Sequence, residues 1–265
     1  MKKLARLLAA AALILMPFQN IPLTGAAVDT CTWTGAINAN WSEGGNWTGC
    51  DTGGVPEFGD SLIFPESASN KTTTNDFVGA IFETVQILGS GYTLNGGSIT
   101  IEGTTPLVVN QSATINLDIT YAPSMNAFLR VASTQTLTMN GVTNFSGVTG
   151  EVNVGGGGFS GTIDFVGNIT GDAGSQVIAT NDATAIVRGV ANTFTASTVG
   201  AESDGVFECR STTCFGDNAN NIYSGNGIVE LRTSATYSND WETSAPAAGD
   251  SWLYAYASIT ISGNG

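Results

Sequence analysis

The sequence predicts an all-β protein built as a β-solenoid, with a β-sandwich as the alternative. Three observations carry this prediction. After residue 27 no stretch of useful length places apolar residues at helical spacing. Short apolar or alternating runs recur instead, each closed by Gly or Asn, among them Tyr92-Thr93-Leu94, Ser98-Ile99-Thr100-Ile101, Ala113-Thr114-Ile115-Asn116-Leu117 and Thr162-Ile163-Asp164-Phe165-Val166. Strands this short and frequent belong to a sandwich, a barrel or a solenoid. Finally, Asn95-Gly96, Asn140-Gly141 and Gly167-Asn168 follow apolar runs at loose multiples of about 20 to 25 residues, the length of a solenoid rung. In such a stack Ile99, Ile101, Val108, Ile115, Leu117, Ile163, Phe165, Ile186 and Val229 are expected to point inward, in columns along the axis.

The chain reads in three parts. Residues 1–27 have the plan of a secretory signal: Lys2, Lys3 and Arg6, an apolar core from Leu7 to Met16, then small residues that offer cleavage after Ala26 or Ala27. Pro17, Gln19, Asn20 and Pro22 cut the run short of the roughly 20 apolar residues that span a bilayer. No later run is long enough either, so no membrane span is expected once the signal is cleaved. Residues 28–60 carry three of the five Trp, two Cys and the turn-rich Glu43-Gly44-Gly45-Asn46, the composition of a cap over an open solenoid end. Residues 61–265 form the solenoid repeats. The final Ile259-Thr260-Ile261 reads as a strand entering a turn, where another rung would be expected.

Composition narrows the function. The chain has 8 Lys and Arg against 22 Asp and Glu. Loss of Lys2, Lys3 and Arg6 with the signal takes the net charge from −14 to −17. Nucleic-acid binding needs cationic side chains that release phosphate counterions, so nucleic acid is excluded as a partner. The chain has no His, which removes Ser-His-Asp and Cys-His catalysis and the commonest zinc ligand. The 34 Gly are about twice the usual share of roughly 7%, and suit tight corners between strands. Four Cys in an exported chain favour disulfides. Of three connectivities, the local one, Cys31–Cys50 with Cys209–Cys214, closes the least chain.

Trp33-Thr34-Gly35, Asn40-Trp41-Ser42, Gly45-Asn46-Trp47, Val55-Pro56 and Gly59-Asp60-Ser61-Leu62-Ile63-Phe64 follow one another, and Gly91-Tyr92-Thr93-Leu94-Asn95-Gly96 precedes Ile99-Thr100-Ile101. This order resembles the start of the autotransporter-associated β-strand-repeat proteins, bacterial surface or secreted proteins. The likeness covers residues 33–101, and residues 140–235 follow the family's later repeats only loosely. It implies a right-handed parallel β-helix and a place at the cell surface, and it implies no particular ligand.

Several residues are candidates for chemistry. Trp33, Trp41 and Trp47 could form a platform on which a sugar stacks, or could plug the solenoid end. Glu102, Asp118, Asp164 and Glu230 lie in strand-like runs, and two of them brought together would make a glycosidase pair. Asp217, Asn218, Asn220 and Asn221, or Glu202 with Asp204, could offer oxygen ligands to calcium, although Asx turns at corners are the simpler explanation. No catalytic, metal or cofactor site is expected. The reading is a non-enzymatic exported solenoid with a structural or adhesive role, whose partners are surface glycans or other surface proteins. A polysaccharide-degrading β-helix enzyme and a carbohydrate-binding β module are the alternatives.

Overall fold

A computed structural model describes residues 28–51, 53–122, 126–172, 174, 176–217, 219–243 and 252–262. The predicted signal, residues 1–27, lies outside the described residues. The chain is a parallel β-solenoid. The coils contribute strands to three faces, and strands pair with those one coil away rather than with their sequence neighbours.

The first face is an 11-stranded sheet running from Thr30–Trp33 and Ser61–Phe64 to Asn221–Gly225 and Trp241–Thr243. The second is a 9-stranded sheet from Thr72–Asn75 to Trp252–Ala255. The third is a 5-stranded sheet from Ala80–Phe82 to Ile169–Thr170, and Ala235–Tyr237 pairs with Ile259–Ile261 further along. Among the named strands every pairing is parallel except that of Thr30–Trp33 with Trp47–Thr48 in the cap. No helix among the described residues is long and apolar enough to cross a membrane.

The core is a set of columns. Leu62, Val85, Leu107, Leu129, Val154, Ala179, Ala201 and Ser224 stand in register on the first face, at steps of 22, 23 or 25 residues. On the second face Leu94, Ile115, Met139, Phe165, Val187, Cys209 and Leu231 do the same. All of these side chains are buried. A single coil cannot bury its apolar face alone, so this stacking is what makes the repeats fold. Unequal steps are absorbed at the corners. At Gly96 φ is +108°, and a Cβ there would lie 2.2 Å from the Asn75 carbonyl oxygen, so this corner excludes a side chain.

Ile99, Ile101, Ile115, Leu117, Ile163, Phe165 and Val229 are interior as expected. Val108 and Ile186 are not. Val108 stands in register with Gln86 and Arg130, and Ile186 with Asp164 and Glu208, all on outer faces. In Leu107-Val108-Val109 and Ala185-Ile186-Val187 every residue is apolar, so the run carries no alternation of its own. The rungs above and below set which residues turn inward.

The Trp-rich segment covers one end of the core, and it also begins the stack, since Thr30–Trp33 pairs in parallel with Ser61–Phe64. Trp33 and Trp47 meet edge to face at 4.9 Å, Trp41 and Trp47 at 6.0 Å, and all three contact Phe64. Buried Asn46 organises the loop, accepting from the Ile37 and Asn38 amides and donating to Asn38 Oδ1 and the Asn40 carbonyl. Asp60, also buried, accepts from the Asp29 and Glu57 amides and so holds the turn into Ser61–Phe64. The Ser42 amide and hydroxyl both donate to Asp76, tying the cap to the corner of the next coil.

Between Ile169–Thr170 and Ala235–Tyr237 no regular strand occupies the third face among the described residues. Buried asparagines take over its hydrogen bonding. Asn192 accepts from the Ile169 amide and donates to the Gly189 carbonyl, and Asn220 bonds the Ala196 amide and the Phe194 and Phe215 carbonyls. Asn239 donates to the Asp217 and Asn220 carbonyls. The apolar filling is aromatic, with Phe215 stacked on Phe207 and meeting Tyr237 edge to face.

Candidate functional site

The outer side of the second face is one continuous surface, and its chemistry changes along the axis. One outward column reads Thr72, Thr93, Thr114, Thr138, Asp164, Ile186, Glu208, Glu230, Tyr254. Beside its first half the Asn95, Asn116 and Asn140 amides bond one to the next at 2.7 Å. Hydroxyls and satisfied amides thus cover the coils nearest the cap.

Further along the axis this surface becomes a charge ladder. Asp164 pairs with Arg188 at 2.7 Å. Glu230 pairs with Arg232 at 2.6 Å, and Arg232 also reaches Glu208 at 2.9 Å. Arg210 pairs with Glu208 as well. Glu208 and Glu230 are directly in register, which would be repulsive on its own. Arg232 lies against both carboxylates and offsets that repulsion. Hydrogen bonding to Glu230 raises the Arg232 pKa above the ordinary guanidinium value, and Asp164 does the same for Arg188. Individually such solvent-screened pairs contribute little to stability. Their consequence is geometric, because they hold long side chains flat on the sheet.

At the far edge of the same surface stand Trp252, Tyr254 and Tyr256. Trp252 and Tyr254 alternate along the strand Trp252–Ala255 and so share a face, and Tyr256 follows directly after its end. Their exposures are 45%, 40% and 56%. Trp252 and Tyr254 stack with nearly parallel planes, at an interplanar angle of 15° and with ring centres 6.0 Å apart. Tyr256 follows at 6.2 Å, tilted by 35°. The Arg232 guanidinium lies 4.0 Å from the Tyr256 ring centre and the Tyr256 hydroxyl contacts Glu230, so the charge ladder anchors one end of the aromatic strip.

Apart from Asp164 and Glu230, the residues singled out in the sequence fall elsewhere. Trp33, Trp41 and Trp47 are buried in the end plug, which leaves no ring face open to a sugar, so they form no ligand platform. Both disulfides form with the local pairing: Cys31–Cys50 staples the cap to the first face and Cys209–Cys214 closes the corner beside Phe215, with Cα separations of 4.9 and 5.5 Å. Asp164 and Glu230 share a column three strands apart, about 14 Å at the usual strand spacing. That exceeds the roughly 5–9.5 Å of a glycosidase pair. Asp118 accepts from the Val142 amide at a corner of the third face, and Glu102 sits at another. Among the described residues no group of three or more acidic or sulfur side chains converges on a metal position. Asp217 closes an Asx turn on the Ala219 amide, Asp204 occupies a tight turn, and Asn218 lies outside the described residues.

The aromatic strip and the arginines of the ladder were not singled out in the sequence, yet both leave a trace there. Glu208-Cys-Arg210 recurs as Glu230-Leu-Arg232 one coil later, and Trp252-Leu-Tyr-Ala-Tyr256 alternates aromatic and aliphatic residues. Compared with known protein families, curated proteins and solved structures, the chain matches none.

Proposed function

We propose that this chain is an exported, non-enzymatic surface element with a structural and adhesive role. The observation that carries the reading is the unbroken outer surface of the second face. It spans nine parallel strands, about 38 Å at the usual strand spacing, and moves from hydroxyls and amides through paired charges to aromatic rings. A rigid, repetitive face of this kind suits contact with an extended partner. Two disulfides fit an oxidising compartment. The leader-like residues 1–27 and the likeness of residues 33–101 to autotransporter-associated repeats support export to a bacterial surface or medium.

The competing reading is a polysaccharide-degrading enzyme, and the in-register pair Glu208 and Glu230 is its best support. Both carboxylates are engaged by Arg232 on the flat outer side of a sheet. General acid–base chemistry needs one carboxyl free to donate a proton and another free to attack or to activate water, so the arrangement favours a binding surface.

Fractionation of a bacterium producing the full chain tests the proposal. The protein is expected in the medium or protease-accessible on intact cells, with an N-terminus at Ala27 or Val28 by mass spectrometry. Recovery of most of the protein in the cytosol with Met1 intact would refute it.

A further inference from the structure

We infer that the threonine-bearing half of the second face binds the surface of ice. The inference rests on the adhesive reading above and names the partner of the same face, at the coils nearest the cap. Thr72, Thr93, Thr114 and Thr138 stand in one outward column, one per coil. On one side of it the Asn95, Asn116 and Asn140 amides form their hydrogen-bonded ladder, and on the other Thr136 stands in register with Thr162 and Thr184. Strand spacing sets the repeat along each column at about 4.8 Å, and side-chain alternation sets the columns about 6.6 Å apart. Neutral polar groups are thus laid out on a two-dimensional grid. A side-chain ladder is one of the devices that keep a many-stranded sheet flat, and the asparagine ladder, with bonds of 2.7 Å, runs through this grid.

The threonines are prepared to hold ordered water. Among the described residues no protein group takes the side-chain hydroxyls of Thr72, Thr93, Thr114 or Thr138, so water is their partner. β-Branching restricts their χ1 angles, so little side-chain freedom is lost when that water becomes fixed. A shallow trough of about 260 Å³ lies between Thr93, Thr114 and Thr138 and the row Gly91, Ser112 and Thr136. It has room for a file of waters that bridge the two columns. A water over each threonine repeats at the strand spacing, which is close to the repeat of oxygens along the a axis of hexagonal ice. A crystal face is also a partner that repeats in both directions of the grid.

The chemistry of the grid disfavours other partners. Its threonine column is uncharged as far as Asp164, so a charged polymer finds no counter-charge there, and no ionic group imposes its own hydration shell on the waters. None of the exposed aromatic rings among the described residues lies in these columns, so a sugar has no ring to stack on. The trough is rimmed by hydroxyls and is shallow, unlike the apolar pocket that a protein hot spot fills.

Freezing measurements on the full secreted chain test this, with osmometry on single ice crystals for thermal hysteresis and microscopy for ice recrystallisation. The parent is expected to arrest a growing crystal over a measurable temperature gap and to slow recrystallisation. Thr114→Tyr places a bulky ring in the middle of the grid and is expected to shrink the gap at least about five-fold. Gln86→Lys, on the outer side of the first face, is expected to leave it unchanged. Unchanged far-UV circular dichroism would show that the variants remain folded, and Thr93→Lys takes the place of Thr114→Tyr if that variant does not fold. Absence of both effects in the parent, an equal gap in the parent and the folded grid variant, or an equal loss in Gln86→Lys would overturn the inference. Those outcomes with the protein still at the surface leave the surface-element reading standing; a cytosolic protein refutes that reading whatever the freezing measurements show.

Discussion

Leu107 and Val108 are adjacent in one strand and face opposite ways, so truncating each in turn tests the register of the whole stack. Leu107 is fully buried between Val85 and Leu129, whereas Val108 lies between Gln86 and Arg130 on the outer side. Leu107→Ala removes the branched end of a side chain enclosed by two rungs, and such truncations cost about 2–5 kcal/mol. Val108→Ala removes two methyl groups from a half-exposed site and loses only strand preference, about 1 kcal/mol or less. At an m-value of about 2.5 kcal/mol/M the first substitution should lower the urea midpoint by about 1–2 M and the second by less than about 0.4 M. Equilibrium unfolding followed by far-UV circular dichroism gives both midpoints. Because each coil touches only its neighbours, hydrogen exchange should show the loss of protection centred on the strands at residues 84–87, 107–109 and 127–131. Equal effects, or a larger effect at Val108, would mean that the strand is slipped by one residue and that the columns described here are wrong.

Two further outcomes are expected. Non-reducing peptide mapping of secreted protein should recover Cys31–Cys50 and Cys209–Cys214; reduction of the first should cost about 3 kcal/mol and of the second about 2, from the loop lengths they close, and a peptide linking Cys50 to Cys209 would refute the pairing. The Asp76 carboxyl is subject to burial, which raises its pKa, but the Ser42 hydroxyl and amide outweigh that effect and hold it below the ordinary carboxylate value. Its contribution to anchoring the cap is therefore complete above the ordinary value and is lost as pH falls through the depressed one. In Ser42→Ala the folded-state pKa of Asp76 moves back toward the ordinary value, so the acid loss of thermal stability should be smaller and should be complete at higher pH than in the parent, and identical acid profiles would refute the role of this contact.

Much of this protein is legible in the residues alone. Short β-branched runs closed by Gly or Asn exclude helical layers, and their recurrence at loose multiples of about 20 to 25 residues favours stacking over hairpins. The local disulfide pairing follows from sequence distance, and the Trp-rich cap from composition. Each of these depends on local chemistry, which a sequence displays directly. Only the tertiary structure decided which way the uniformly apolar strands face. Leu107-Val108-Val109 and Ala185-Ile186-Val187 are apolar at every position, so neighbouring rungs choose the inner residues. The same holds for function. Trp33, Trp41 and Trp47 are no less aromatic in the sequence than Trp252, Tyr254 and Tyr256, yet the first three converge on Phe64 and are buried while the last three stand open beside Glu230 and Arg232. Burial and juxtaposition across coils are properties of residues some 22 positions apart, and coil stacking alone brings them together.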